Sequence, residues 1–189
     1  MINSCSIKIN SNHYRRITVC LFALVTALLS TQSALANEYK IEVLAFRHLD
    51  GAPATESHHY QPPKNLNSKA KTWYVEPSML VKEARALRES PEYQVIHYYS
   101  WGQEALPSSQ AAVYNIVETD LSGWVKVYAK NLLFANLDLD LNGYRMTENR
   151  RLKLDEENYF DHPKFGVLLR VSRLLPSEQR NNIGKTKTQ

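Results

Sequence analysis

The sequence predicts an α+β protein: a βαβ-like opening followed by a mostly antiparallel β-sheet with a long bent strand and a C-terminal hairpin. Three observations predict it. Helical spacing is clear at one place, where Leu80, Ala84 and Leu87 recur at i, i+4 and i+7 between two strand-like runs. From Gly123 to Leu141 apolar residues occupy odd positions and mostly polar or aromatic ones even positions, the period of a strand. Asn142-Gly143 then supplies a strong type I′ hairpin signal.

The first 36 residues read as a signal peptide. Arg15-Arg16 precede the uncharged, mostly apolar run Ile17 to Leu29, and Ala34-Leu35-Ala36 ends in an A-x-A site. As a helix that run of 13 residues rises only ~20 Å, short of the ~30 Å hydrocarbon core, which argues against an uncleaved anchor. Cleavage after Ala36 leaves 153 of the 189 residues, about one domain. Cys5 and Cys20 leave with the leader, so the mature chain has no disulfide available. Lys8, Arg15 and Arg16 leave too, and the leader holds no acid, so the net charge falls from +4 to +1. That balance does not argue for nucleic acid, and no basic run or zinc spacing appears. Export to the periplasm of a two-membrane bacterium is the expectation, with secretion as the alternative and no membrane insertion after cleavage. Residues 37–175 form one α+β domain in this reading, and 176–189 a disordered polar tail.

Tyr39 to Arg47 reads as the first strand, with Ile41, Val43 and Ala45 on one face. Asp50 to Asn67 is a long polar loop with three prolines, and His58-His59 inside it has no carboxylate or cysteine at ligand spacing. No metal or other cofactor is expected. Glu76-Pro77 fits a helix start, with proline at the first helical position, and Pro91 a stop. Tyr93 to Trp101 is the next strand, expected to place Val95, His97, Tyr99 and Trp101 on one side and Ile96 and Tyr98 on the other. Ala112 to Glu118 is a short strand. Fully extended, Val125 to Leu141 would span roughly 53 Å at about 3.3 Å per step. A domain of this size is ~40 Å across, so the strand must bend or break around Asn131.

Arg150 to Leu174 organises the C-terminal part. Arg150 to Leu154 alternates, Asp155 to Asn158 breaks the pattern, and Phe165, Val167, Leu169 and Val171 resume period 2. Between them lies Tyr159-Phe160-Asp161-His162-Pro163, read as the decorated tip of a hairpin. Gly166 inside the strand pattern marks a bulge or a close approach.

The segments YKIEVLAFRH, SPEYQVIHYYSW, LSGWVKVYAKNLL and above all RRLKLDEENYFDHPKFGVLLRV resemble the CsiV family of periplasmic peptidoglycan-binding proteins. The resemblance covers roughly Glu38 to Leu175, and its specific signature is Tyr159 to Pro163 with Gly166. It implies a non-enzymatic role in the cell wall. The expected partners are peptidoglycan, a bifunctional penicillin-binding protein whose activation it supports, and an outer-membrane lipoprotein. Two patches depart from the family pattern: Leu132-Leu133-Phe134 stands where an aromatic-Leu-His is expected, and Gly102-Gln103-Glu104 where an Arg-Gln-Pro-like run is. No binding residue carries over from the family.

The residues themselves suggest where a wall polymer would bind. Aromatic faces pack on sugar C–H surfaces, and arginine pairs with carboxylates through its planar fork. Trp124, Lys126, Tyr128 and Lys130 share the even face of the long strand and form the candidate ligand surface, the alternative being that its aromatics are core. Arg150 and Arg151 point to opposite faces, so at most one meets a ligand; Arg151 is the candidate. Asp161-His162 beside Glu156-Glu157 raises acid–base chemistry, but adjacent residues on a strand face opposite sides, and no nucleophile motif is present. A small hydrolase and an interaction module without wall affinity are the competing classes.

Overall fold

The computed structural model describes residues 38–50, 64, 66–129 and 131–174. The leader, His58-His59, Lys130 and the polar tail lie outside the described residues. The chain runs β1 (Glu38–His48), β2 (Thr72–Tyr74), α1 (Val81–Glu89), β3 (Tyr93–Glu104), β4 (Tyr114–Val117), β5 (Leu121–Ala129), β6 (Leu133–Leu141), β7 (Tyr144–Arg151), β8 (Glu157–His162) and β9 (Phe165–Arg173). The strands make two antiparallel sheets. One is ordered β2-β3-β1-β9-β8, the other β4-β5-β6-β7.

The alternation in the sequence decides how the layers stack. Ile41, Val43 and Ala45 of β1 and Val167, Leu169 and Val171 of β9 meet the odd residues of β5 and β6 in one buried core. The opposite face of the five-stranded sheet carries Leu44, which packs with Leu80 and Ala84 of the helical segment. The order is therefore helix, sheet, sheet.

The strand–helix–strand opening acquires β2, and its two long strands pair antiparallel. Tyr93 lies opposite His48, and the Leu49 N–H donates to the Glu92 carbonyl at 2.8 Å. The chain thus re-enters at the end it left, so β1 and β3 close like a hairpin around a long insertion rather than a parallel crossover. The helix begins at Val81, later than Glu76-Pro77 suggests, and Leu80 at its N-cap makes no side-chain cap. A bulge alters β3. Ala45 pairs with His97 but Phe46 with Val95, leaving Ile96 as the extra residue. Tyr99 and Trp101 face the intersheet core, whereas Val95 joins Tyr98 on the helix side and Ile96 turns to the core. One inserted residue reverses the face of everything before it.

The expected long bent strand is two strands. The chain reverses between Ala129 and Leu133, which pair directly, so β5 and β6 form a hairpin. Odd residues still oppose odd residues, and the alternation survives the reversal. Asn142 and Gly143 adopt φ of 52° and 92°, the double positive of a type I′ turn, joining β6 to β7. The C-terminal hairpin is also re-divided. Arg150-Arg151 end β7 in the four-stranded sheet, and the chain crosses to the other sheet before β8. The tip residues Tyr159 to His162 are themselves a strand, paired with β9.

Candidate functional site

The face of the four-stranded sheet turned away from the core is built by the even residues of β5 and β6 and the odd residues of β7. Their register sets three rows: Trp124–Asp138–Thr147, Lys126–Asn136–Asn149 and Tyr128–Phe134–Arg151. A fourth, Ser122–Asp140–Arg145, lies beyond Trp124. Trp124, Lys126 and Tyr128 therefore share one face, with Arg151 at its edge.

The rows differ in chemistry. Arg145 grips Asp138 with both ends of its fork, Nε to Oδ1 at 2.7 Å and Nη2 to Oδ2 at 2.6 Å, and the pairing raises the guanidinium pKa further. Trp124 is buried here, 8% exposed, so its ring contributes to packing on this face. At the other end Tyr128 and Phe134 stack nearly parallel, 5.4 Å apart and 11° between planes. The Tyr128 hydroxyl donates to Asn149 Oδ1 at 3.2 Å, which fixes the ring, and Arg151 is exposed across the row. This end offers a half-exposed, pre-positioned aromatic pair beside a cation. Arg150 is on the other face, with its guanidinium 3.9 Å from the centre of the Phe160 ring and a bond donated to the Tyr159 carbonyl.

The segments Leu132–Phe134 and Gly102–Glu104 take different places. Phe134 belongs to the aromatic pair. Gln103 is 1% exposed and ties the two sheets together: its Oε1 accepts from Trp101 Nε1 at 2.9 Å, and its Nε2 donates to the Val127 carbonyl at 2.8 Å. Gly102 lies under Trp73, whose Nε1 would be 2.2 Å from an added Cβ.

Asp161 and His162 face opposite sides. Asp161 is exposed and accepts from the Tyr159 hydroxyl at 2.5 Å. His162 is buried, and its Nδ1 accepts the Lys164 N–H at 3.1 Å, closing the β8–β9 turn. Among the described residues no group of three or more His, Cys, Asp or Glu side chains is arranged to hold a metal ion, and no helix is long and apolar enough to cross a membrane.

Two groupings escape sequence reasoning because they join distant segments. Phe46, Tyr93 and Tyr159 gather at one end of the five-stranded sheet, with Phe46 6.2 Å from Tyr159 and 5.5 Å from Tyr93. Gly166 is the one local signal of this: a Cβ there would meet Phe46 at 2.5 Å and Tyr159 at 2.8 Å. The second joins β1 to residues 76–80: the Lys40–Glu42 ion pair is buried, and both side chains bond to that segment, which no periodicity marks.

The fold and this face define an α+β protein of two stacked antiparallel sheets with an aromatic and cationic outer surface. Comparison with known proteins finds no matching family model, no similar curated protein and no similar solved structure.

Proposed function

We propose that this is a periplasmic, non-enzymatic peptidoglycan-binding protein that supports cell-wall synthesis by assisting a bifunctional penicillin-binding protein, with an outer-membrane lipoprotein as a further partner. The segments resembling the CsiV family motivate the class. The observation that carries the site is the Tyr128–Phe134–Arg151 row, a stacked aromatic pair with a cation beside it. A sugar ring presents C–H groups to such a pair, and a stem-peptide carboxylate presents two acceptors to the guanidinium. Lys126 lies one row away on the same face and adds a second positive charge. Lys130 extends the candidate surface by sequence.

Co-sedimentation of the exported chain with purified sacculi tests this reading. The protein should pellet at physiological salt and release no soluble muropeptides. A protein that stays in the supernatant, or that liberates wall fragments, overturns it.

A further inference from the structure

We infer that the cleft beside Lys126 is a carboxylate site and takes the free C-terminus of a short peptide ending in a small aliphatic residue. Its assignment to a stem peptide rests on the function proposed above; the carboxylate chemistry does not. β4 pairs with β5 only as far as Val125, so Lys126 is the first outward residue beyond that pairing. The next segment of wall is chain 106–113, anchored where the Ala129 N–H donates to the Leu106 carbonyl at 2.9 Å. Chain 66–70 closes the opposite side. It is braced by Ser68 Oγ on the Ala111 carbonyl at 2.8 Å and by Asn115 Nδ2 on the Leu66 carbonyl at 3.2 Å. The space enclosed is about 690 Å³.

The lining is one-sided in charge. Lys69 and Lys126 line it together with Ser108, Ser109 and Gln110, and among the described residues no Asp or Glu lines the cleft. The cavities at the Glu118–Asp120 turn have the opposite character, each lined by both of those carboxylates. Among the described residues neither Lys69 nor Lys126 makes an ion pair, although Lys126 is half-buried. A lysine whose positive charge has no counter-charge in the chain is open to an anion from outside. Leu66, Leu106 and Val113 add apolar wall beside these polar groups, which suits a methyl group next to the carboxylate better than a fully hydrated inorganic anion.

Titration calorimetry of the exported chain with diacetyl-L-Lys-D-Ala-D-Ala, its C-terminal amide and inorganic phosphate tests the inference. The free acid should bind at least about tenfold more tightly than the amide, as expected for loss of a charge-assisted contact. Lys126→Met should weaken the acid by a similar factor at an unchanged melting temperature, and Lys126→Arg should retain binding. Equal affinity for acid and amide, no detectable binding of the acid, an unaffected Lys126→Met protein, or phosphate binding as tightly as the peptide would each overturn it. Sacculus pelleting separates the two readings. Protein that pellets but does not distinguish acid from amide leaves the wall-binding reading standing and removes this one; the reverse result does the opposite.

Discussion

Lys40 and Glu42 lie two residues apart on β1, with Nζ and Oε1 3.2 Å apart and exposures of only 3% and 0%. Their shared face is the helix side of the sheet. The Glu42 carboxylate accepts the backbone N–H groups of Ser78, Met79 and Leu80 at 2.7, 2.8 and 3.0 Å, and the Tyr98 hydroxyl donates to it as well. Lys40 donates to the Glu76 carbonyl and Ser78 Oγ, both at 2.6 Å. A carboxylate from the sheet thus holds the turn that leads into the helix, at the positive end of the helix dipole.

Removing either partner leaves the other charge buried and unpaired. Glu42→Ala and Lys40→Met should each lower stability by roughly 3–5 kcal/mol. Chemical denaturation with far-UV detection measures this. A loss under 1 kcal/mol for Glu42→Ala would show that the network contributes little.

Alkaline pH should destabilise the fold at three tyrosines. Burial, followed by the bond to Glu42, raises the Tyr98 phenol; burial, followed by the Glu118 charge, raises Tyr99; burial, followed by the bond to Asp161, raises Tyr159. A pKa raised in the fold favours the protonated form there. The stabilisation is therefore complete below the ordinary tyrosine value of ~10 and is lost as pH climbs past it. Thermal melts should be flat from neutral pH to about 10 and fall steeply above, with phenolate absorbance rising alongside unfolding. Tyr98→Phe should shrink the fall. Full ionisation near pH 10 in a still-folded protein would contradict the assignment.

The candidate face separates into a packing end and a proposed binding end. Trp124→Ala should cost about 3–5 kcal/mol, because it removes a buried ring. Tyr128→Ala with Arg151→Ala should leave the fold nearly unchanged and weaken sacculus pelleting several-fold, at about 0.5–1.5 kcal/mol for the stacking contribution. Unchanged pelleting by this double variant would move the ligand elsewhere.

Gly166→Ala should destabilise by roughly 1–3 kcal/mol, since its methyl group collides with Phe46 and Tyr159 and those rings must be displaced. Near-UV circular dichroism should change with it. An unaltered aromatic spectrum and melting temperature would mean that the rings yield without cost.

Intact-mass measurement of the protein recovered from the expressing cell checks the proposed leader. The expected mass begins at Asn37, and a mass that includes Cys20 excludes that cleavage.

The sequence by itself determined the alternation that builds both sheets, the apolar stripe of the helix and the Asn142-Gly143 turn. Each depends on neighbours a few residues apart, whose geometry is local. It also placed Trp124, Lys126 and Tyr128 on one face, because a hairpin that pairs odd with odd preserves parity. Tertiary structure decided the rest. Whether the alternating run bent or reversed depended on what paired with it, and whether Val95 faced the core depended on a bulge opposite Phe46. The burial of Trp124 and the exposure of Arg151 likewise follow from which side chains crowd each row, not from their own identity. Glu42 reads from sequence as an ordinary outward strand residue. It becomes a buried anchor for the entry to the helix only because residues 78–80, more than 30 positions away, deliver three backbone N–H groups to it. Local spacing carries no information about such a meeting, because the energy that fixes it comes from contacts between segments that the chain brings together only on folding.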